Sequence, residues 1–265
     1  MNTNVNLEAA LGVLGFLGGC AVLLVICFIA AHALFTKRTA RLRMSLVAAV
    51  GWVVIYLGLM LVFSFASHEK ALARGEEKHF CEIDCHLAYA VTDVQRTKTL
   101  GLPNNQATAK GVFYVVTVRT RFDEQTIGNG RGDSLLTPNS RIVTIRDAQG
   151  RSYNASPEAM KAIELAQSSG TPIWTPLRPG ESYTTTFVFD LPENIENPTL
   201  LINEGELVTH FVIGHENSPL HKKVLFRLDE TPKQLASNKL SRTLSSRMMG
   251  VVSAVLRRLK GYGDH

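Results

Sequence analysis

Two cysteines and a histidine lie close together in the stretch FCEIDCHLAYAV, which runs from residue 80 to residue 91. Cys81 and Cys85 are four positions apart, and His86 directly follows the second cysteine. Thiolates and imidazoles are ligands that copper prefers. Two thiols in an oxidising compartment can instead form a disulfide, and a free cysteine often packs as a small apolar side chain. The stretch therefore admits three interpretations: a soft-metal site, a local disulfide, or buried structural thiols.

The backbone conformation of this stretch determines which chemistry is available. If residues 80–91 form one extended strand, Cys81 and Cys85 point to the same face and their Cα atoms are about 13 Å apart, at about 3.3 Å per residue. A disulfide requires Cα atoms within about 7 Å of each other. Only a bent segment allows a disulfide or two thiolates on one metal ion, so all three interpretations stay open.

The compartment is indicated by two long apolar runs, at residues 11–35 and 45–66. About 20 residues of helix cross a hydrocarbon core of about 30 Å, so both runs are predicted to be transmembrane helices. They leave an N-terminal tail of residues 1–10 and a connector of residues 36–44 that contains Lys37, Arg38, Arg41 and Arg43. The positive-inside rule places this basic connector in the cytoplasm. The tail and everything after residue 66 are then expected on the other side of the membrane.

A linker of residues 67–78 leads to a region, residues 79–230, in which short alternating runs are separated by turn residues. GVFYVVTVRTRF and SYTTTFVFDLP show the period-two alternation of half-buried strands. Ala148-Gln149-Gly150 is typical of a hairpin turn, and further strands are predicted at 199–203, 207–213 and 222–228. With a single helix near 157–167, this pattern predicts an all-β sandwich of two sheets.

Several stretches together resemble a known protein family. They are GVFYVVTVRTRF, DAQGRSY, LRPGESYTTTFVFDLP, and LLINEG followed by IGHENSPLHKKVLFRL. The chain is similar to an uncharacterised bacterial membrane-anchored family whose outer domain resembles the telokin-like and immunoglobulin-like extracellular domains. The resemblance implies an immunoglobulin-like sandwich on the periplasmic side of the bacterial inner (cytoplasmic) membrane.

The segment CEIDCH also resembles two kinds of copper site, the cysteine loop of cytochrome c oxidase subunit II and the CxxxC motif of Sco-type copper chaperones. In subunit II the loop lies near the end of the domain and a methionine follows, whereas here it opens the domain. Sco proteins have a proline after the second cysteine and a thioredoxin fold, and both features are missing here. The resemblance implies copper as the alternative cofactor, and a chaperone or assembly factor for a respiratory oxidase as the alternative function.

The other histidines that could complete such a site lie near the end of the domain. His215 and His221 fall in one stretch together with His210, and the first and last strands of immunoglobulin-like folds are commonly neighbours. A copper site would therefore use Cys81, Cys85 and His86, with His215 or His221 as further imidazole ligands.

The sequence lacks the motifs of several common enzyme classes. The sequence contains no nucleophile elbow, P-loop, dinucleotide fingerprint or HExxH, and its net charge of +5 comes largely from the connector and the last segment rather than from a nucleic-acid-binding surface. We therefore expect a non-enzymatic interaction or structural module of the cell envelope, without a cofactor. Its expected partners are the lipid bilayer and a membrane or periplasmic protein.

The last segment, residues 231–265, alternates apolar and basic positions at helical spacing. Its apolar stripe is formed by Leu240, Leu244, Met248, Val251, Val255 and Leu259. A basic amphipathic helix of this kind can lie on anionic lipid, dock on a partner, or pack on its own domain. The sequence predicts the helix and leaves these three locations open.

Overall fold

The computed structural model describes residues 1–81, 85–127 and 132–229 of the chain. Two long helices come first: α1 spans Ala9–Phe35 and α2 spans Thr39–Phe65. Both are long and apolar enough to cross a membrane, and little of either is buried by the rest of the protein. The turn between them is shorter than the predicted connector of residues 36–44. Arginine is a good helix former, so Arg41 and Arg43 extend the first turns of α2 instead of forming a loop.

The two helices pack closely at Gly19 of α1. A Cβ atom at this position would lie 3.3 Å from the Tyr56 ring of α2, and the Trp52 indole N–H donates a 3.3 Å hydrogen bond to the Gly19 carbonyl. Small residues at helix contacts allow this close approach of backbones in membranes. The helices therefore form a packed hairpin.

The rest of the described chain is a domain rich in mixed β-sheet. One five-stranded sheet has the order β1 (Asn2–Thr3), β3 (Lys78–Phe80), β4 (Leu87–Leu100), β5 (Ala107–Phe122) and β8 (Ser182–Leu191). The second has the order β2 (Lys70–Leu72), β10 (Val224–Arg227), β9 (Thr199–Glu204), β6 (Arg141–Arg146) and β7 (Ser152–Asn154). Neighbouring strands are antiparallel except for the β1–β3 and β2–β10 pairs, which are parallel.

The two sheets share one hydrophobic core. The predicted alternation of β5 is confirmed, because Val116 and Val118 are fully buried while Arg119 on the opposite face is partly exposed. Val116 belongs to the same buried cluster as Ile145 and Phe226 of the second sheet. Alternate residues of the long central strands thus meet the inner face of the other sheet, as period-two sequences do when one face is buried.

Local signals placed the predicted hairpin and the short helix correctly. At the turn between β6 and β7, the Asp147 carboxylate accepts hydrogen bonds from the backbone N–H groups of Gln149 and Arg151, and Gly150 has a φ of 79° that favours glycine. Helix α3 (Pro157–Leu165) begins after Ser156, whose hydroxyl accepts from the Ala159 N–H.

The structure decides one open alternative and corrects one predicted strand. Of the conformations left open for residues 80–91, the single strand does not occur, because β3 ends at Phe80 and β4 begins at Leu87 opposite Phe80. The predicted strand at 207–213 is instead a 3₁₀ helix over Leu207–Phe211, whose turn is closed by the Thr209 hydroxyl donating to the Glu206 carbonyl at 2.6 Å. Two short strands also lie before residue 79, with β1 in the N-terminal tail and β2 in the predicted linker. The C-terminal helix predicted over 231–265 lies outside the described residues.

Candidate functional site at the junction of tail and domain

The N-terminal tail is built into the β domain before the chain enters α1. Asn2 pairs with Lys78 in a parallel ladder, and Asn4 is 1% exposed. The Asn4 side-chain carbonyl accepts a 2.8 Å hydrogen bond from the Cys81 N–H, and its amide donates to the Glu204 carboxylate at 3.2 Å. The Asn4 backbone carbonyl accepts from the Glu216 N–H at 2.8 Å. The tail therefore connects strands β3 and β9 with the loop that follows residue 214.

Cys81 and Cys85 form a disulfide in the turn between β3 and β4, and their Cα atoms are 4.1 Å apart. Of the three interpretations of these cysteines, the structure contains the local disulfide, and the interpretation as free buried thiols is wrong. The separation of about 13 Å expected for a single strand does not apply, because Cys81 and Cys85 lie in the turn of a hairpin. In the disulfide form neither sulfur is a thiolate.

Two of the histidines expected to bind a metal ion, His215 and His86, are buried and contact other side chains of the domain. His215 is buried, and its Nδ1 accepts the Asn217 N–H at 3.0 Å. Its Nε2 therefore carries the proton and donates to the Glu204 carboxylate at 2.9 Å. His86 is also buried, with Nδ1 2.6 Å from the Thr126 hydroxyl and its ring stacked on Phe122. Both nitrogens of His215 are thus engaged by the protein.

His221 has one ring nitrogen that the described residues engage and one that they do not. Its Nδ1 donates to the Lys222 carbonyl at 2.7 Å, burial lowers the pKa of its ring, and its Nε2 has no hydrogen-bond partner among the described residues. The structure places Cys81 and His215 in the lining of one cleft. Within the described ranges it gathers no group of three or more histidine, cysteine or acidic side chains suited to a metal ion.

A buried ion pair beside the tail was not found by sequence reasoning. Lys78 has no exposed surface, and its ammonium donates to both carboxylate oxygens of Glu216 at 2.7 and 2.9 Å and to the Ile202 carbonyl at 2.8 Å. Burial lowers the pKa of Lys78, and the neighbouring Glu216 carboxylate opposes that shift. Lys78 falls in the predicted linker, where no pattern distinguishes it from an exposed lysine.

A second buried pair lies against the first. The Arg141 guanidinium is 3.7 Å from the Glu204 carboxylate and 4.3 Å above the centre of the Phe80 ring, a cation–π arrangement. Glu204 in turn accepts hydrogen bonds from Asn4 and His215. Two buried cations thus face two buried anions, and we call Lys78, Glu216, Arg141 and Glu204 the charge cluster.

A cleft of about 170 Å³ lies next to the charge cluster, where the start of α1 faces the 3₁₀ segment. Its polar lining residues are Cys81, Asn139, Glu204, Glu206, Thr209 and His215. Its apolar lining residues are Val5, Leu7, Ala9, Gly12, Val13, Val208, Val212 and Ile213. The Glu204 and His215 side chains are hydrogen-bonded to each other.

A second cleft, of about 220 Å³, lies beside β8 at the edge of the first sheet. The free edge of β8 is covered by the preceding segment, since the Thr186 N–H donates to the Ser169 carbonyl at 2.8 Å. Trp174 borders this cleft and is 66% exposed, and the partly buried Phe187 also belongs to its lining. Exposed tryptophan is enriched at protein contact surfaces.

Comparison with known proteins adds a domain family without an assigned function. Residues 83–210 match the family model described as Domain of unknown function (DUF4352). No curated protein matches the chain.

Three solved structures are similar to this chain. A conserved hypothetical protein from Bacillus anthracis is 14% identical, with a TM-score of 0.36, over 52% of this chain and 93% of the other. The secreted protein MPT63 from Mycobacterium tuberculosis is 12% identical, with a TM-score of 0.38, over 60% and 98%. The yjhA protein from Bacillus subtilis is 17% identical, with a TM-score of 0.36, over 59% and 98%.

We predict that Lys78→Met destabilises the protein strongly, because it leaves Glu216 buried without its cation. Breaking a buried pair in this way costs about 3–5 kcal/mol, which lowers the midpoint of thermal unfolding by roughly 10 °C in a protein of this size. The measurement is thermal unfolding of the purified full chain in lipid nanodiscs. The matched control is Lys110→Met at an exposed lysine, which should leave the midpoint nearly unchanged.

The double variant Lys78→Met with Glu216→Leu distinguishes charge from packing. Removing both charges of a buried pair is often close to neutral, so we expect the double variant to unfold well above the single variant. If the double variant is no more stable than Lys78→Met, the charge interpretation is wrong.

The stability of the protein is also predicted to depend on the protonation of Lys223. This ammonium donates to the Glu216 carbonyl and lies 3.3 Å from the Asn217 side-chain oxygen, and burial lowers the pKa of Lys223 from 10.5 to about 8. Below that lower value Lys223 is charged in both the folded and the unfolded state. As the pH rises from about 8 to 10.5, the folded state releases this proton first, so the free energy of unfolding rises.

The comparison that isolates this proton is the wild type against Lys223→Met. As the pH rises through this range, the unfolding midpoint of the wild type should increase relative to that of Lys223→Met. The exposed-site control Lys222→Met should show the same pH dependence as the wild type. A constant difference between wild type and Lys223→Met would show that Lys223 does not titrate there.

Proposed function

We propose that the protein is a membrane-anchored, non-enzymatic interaction or structural module of the bacterial cell envelope. In this proposal α1 and α2 cross the cytoplasmic membrane, and an immunoglobulin-like sandwich lies on the periplasmic side. The observation that carries the proposal is that both outer ends of the helical hairpin are built into the same β domain.

The contacts at the two ends support one fixed attachment. The chain before α1 forms β1 and buries Asn4, and the chain after α2 forms β2, which pairs with β10. The Asn6 amide also donates to the Phe63 carbonyl near the end of α2 at 2.7 Å. A domain held at two points keeps one orientation at the membrane surface, which suits a module that presents a binding surface.

Two further observations support the periplasmic side. The Cys81–Cys85 disulfide is the form that cysteines adopt in oxidising compartments such as the periplasm. The turn between the helices carries Lys37 and Arg38, so the positive-inside rule places that turn in the cytoplasm and both outer helix ends, with the domain, on the other side.

The state of the buried polar groups favours a module over an enzyme. The Lys78, Glu204 and His215 side chains are each engaged by partners inside the protein, whereas a general acid or base must reach a substrate. Among the residues that the structure describes, the cleft that Trp174 borders offers a surface to a partner, because its exposed aromatic ring can bury against another protein. We therefore place the protein partner at this cleft.

Copper binding is the alternative function, and it is a proposal for the reduced protein. It is supported by the shared location of Cys81 and His215 in one cleft. It requires reduction of the disulfide and release of His215 from Glu204, because copper binds thiolates and unprotonated imidazole nitrogens.

The proposed location predicts which engineered cysteines react from outside the cell. In a chain with Cys20→Ser and Cys27→Ser, we introduce Lys37→Cys in the helix turn or Leu102→Cys at the exposed tip of the β4–β5 hairpin. A maleimide that cannot cross membranes should label the Leu102→Cys chain in intact spheroplasts. It should label Lys37→Cys only after lysis, and the reverse pattern would contradict the proposed orientation.

The proposed partner is tested by photo-crosslinking in cells of the source organism. A photoreactive amino acid replaces Trp174 in one variant and Leu102 in the control. Both positions are exposed, but only Trp174 borders the cleft. We expect one discrete adduct of higher mass from position 174 and none from position 102. Equal crosslinking at both positions, or none at position 174, would argue against a partner in this cleft.

A further inference from the structure

The segment of residues 207–213, which we call the wedge, begins with the 3₁₀ helix and exposes large apolar side chains. Leu207 is 74% exposed, Val208 47% and Phe211 50%. All three side chains belong to one short helix of the β domain, Leu207–Phe211. An exposed apolar patch of this kind marks a surface that contacts another protein or a membrane.

The wedge lies alongside the two long helices. The Tyr56 hydroxyl of α2 donates a 2.6 Å hydrogen bond to the Phe211 carbonyl. Tyr56 precedes the end of α2 at Phe65 by nine residues, or about 14 Å of helix. On the other side, a Cβ atom at Gly12 of α1 would lie 2.9 Å from the Ile213 carbonyl oxygen. The wedge therefore reaches below the outer end of the helical hairpin and packs against both helices.

The backbone of the wedge is suited to surroundings without water. Irregular backbone at membrane depth is tolerated only where its polar groups are satisfied by the protein. The Thr209 hydroxyl donates to the Glu206 carbonyl at 2.6 Å, the His210 ring to the Leu207 carbonyl at 3.3 Å, and the Ser218 hydroxyl to the Val212 carbonyl at 2.6 Å. With the bond from Tyr56, side chains satisfy four carbonyls in and next to the wedge.

We propose that the wedge inserts into the outer leaflet of the membrane, where Leu207, Val208 and Phe211 contact lipid acyl chains. The proposal rests on the proposed function, because it requires α1 and α2 to cross that membrane. Lipid is the occupant that the contacts favour, since the wedge packs against α1 and α2, and α1 itself exposes apolar side chains such as Leu11 and Leu14. The wedge is then a third membrane contact of the chain and prevents rotation of the β domain about the hairpin.

The test uses tryptophan fluorescence and lipids with brominated acyl chains, which quench only a nearby indole. The chain has two tryptophans, Trp52 and Trp174. With both replaced by phenylalanine, a single tryptophan is introduced as Phe211→Trp or as Leu207→Trp. The second position guards against misfolding, because Leu207 is the most exposed of the three side chains and has room for a larger ring. The full chain is reconstituted in phosphatidylcholine vesicles with or without bromine.

Two single-tryptophan chains serve as controls. The native Trp52 lies inside α2 and reports on the proposed membrane span. Leu102→Trp places the indole at the exposed tip of the β4–β5 hairpin, just after the last residue of β4, Leu100. The expected result is that tryptophans at 207 and 211 lose about as much fluorescence as Trp52, and that the tryptophan at 102 loses none.

The outcomes separate the wedge from the membrane anchor. If Trp52 is quenched but the tryptophans at 207 and 211 behave like the one at 102, the wedge is covered by protein or exposed to water and the inference is wrong. If Trp52 is not quenched either, the proposed membrane span fails and the wedge proposal fails with it.

Discussion

The structure depends on the requirement that buried charges be paired. Lys78 lies in β3 of the first sheet, and its ammonium is out of contact with water. It is stabilised there because the Glu216 carboxylate, in the loop before β10, and the Ile202 carbonyl of β9 in the second sheet accept its hydrogen bonds. An unpaired buried ion is strongly destabilising, so the contacts of Lys78 disfavour other arrangements of the two sheets and this loop at this end of the domain. The hydrophobic core alone would tolerate more arrangements, since it is not directional.

The same cluster connects the domain to the helical hairpin. The backbone N–H of Glu216 donates to the carbonyl of Asn4, and the Asn4 side chain binds Cys81 and Glu204. The tail therefore bonds to the groups around the ion pair rather than to an independent surface patch. Because only four residues of chain separate Asn4 from the start of α1 at Ala9, the orientation of the first helix is tied to the packing of the two sheets.

Much of the fold could be predicted because its signals are local. The alternation in β5 and β8, the hairpin turn at Ala148-Gln149-Gly150 and the short helix near 157–167 each depend on neighbours within a few residues. The predicted strand at 207–213 failed because its apolar residues do not alternate between a core and water. Instead they face the cleft, the two helices and the open surface on different sides. A sequence pattern cannot distinguish these environments, which arise from distant parts of the chain.

The sequence by itself determined two apolar helices, a basic turn between them and a domain of short strands, since length, hydropathy and period are properties of contiguous residues. It identified Cys81 and Cys85 as chemically important and left three outcomes open. Only the tertiary structure decided that the turn between β3 and β4 brings the two sulfurs together and that His215 is occupied by Glu204 and Asn217. It also decided that Lys78 is buried. These outcomes depend on contacts between residues far apart in the chain, which the two sheets and the helical hairpin create only when they pack.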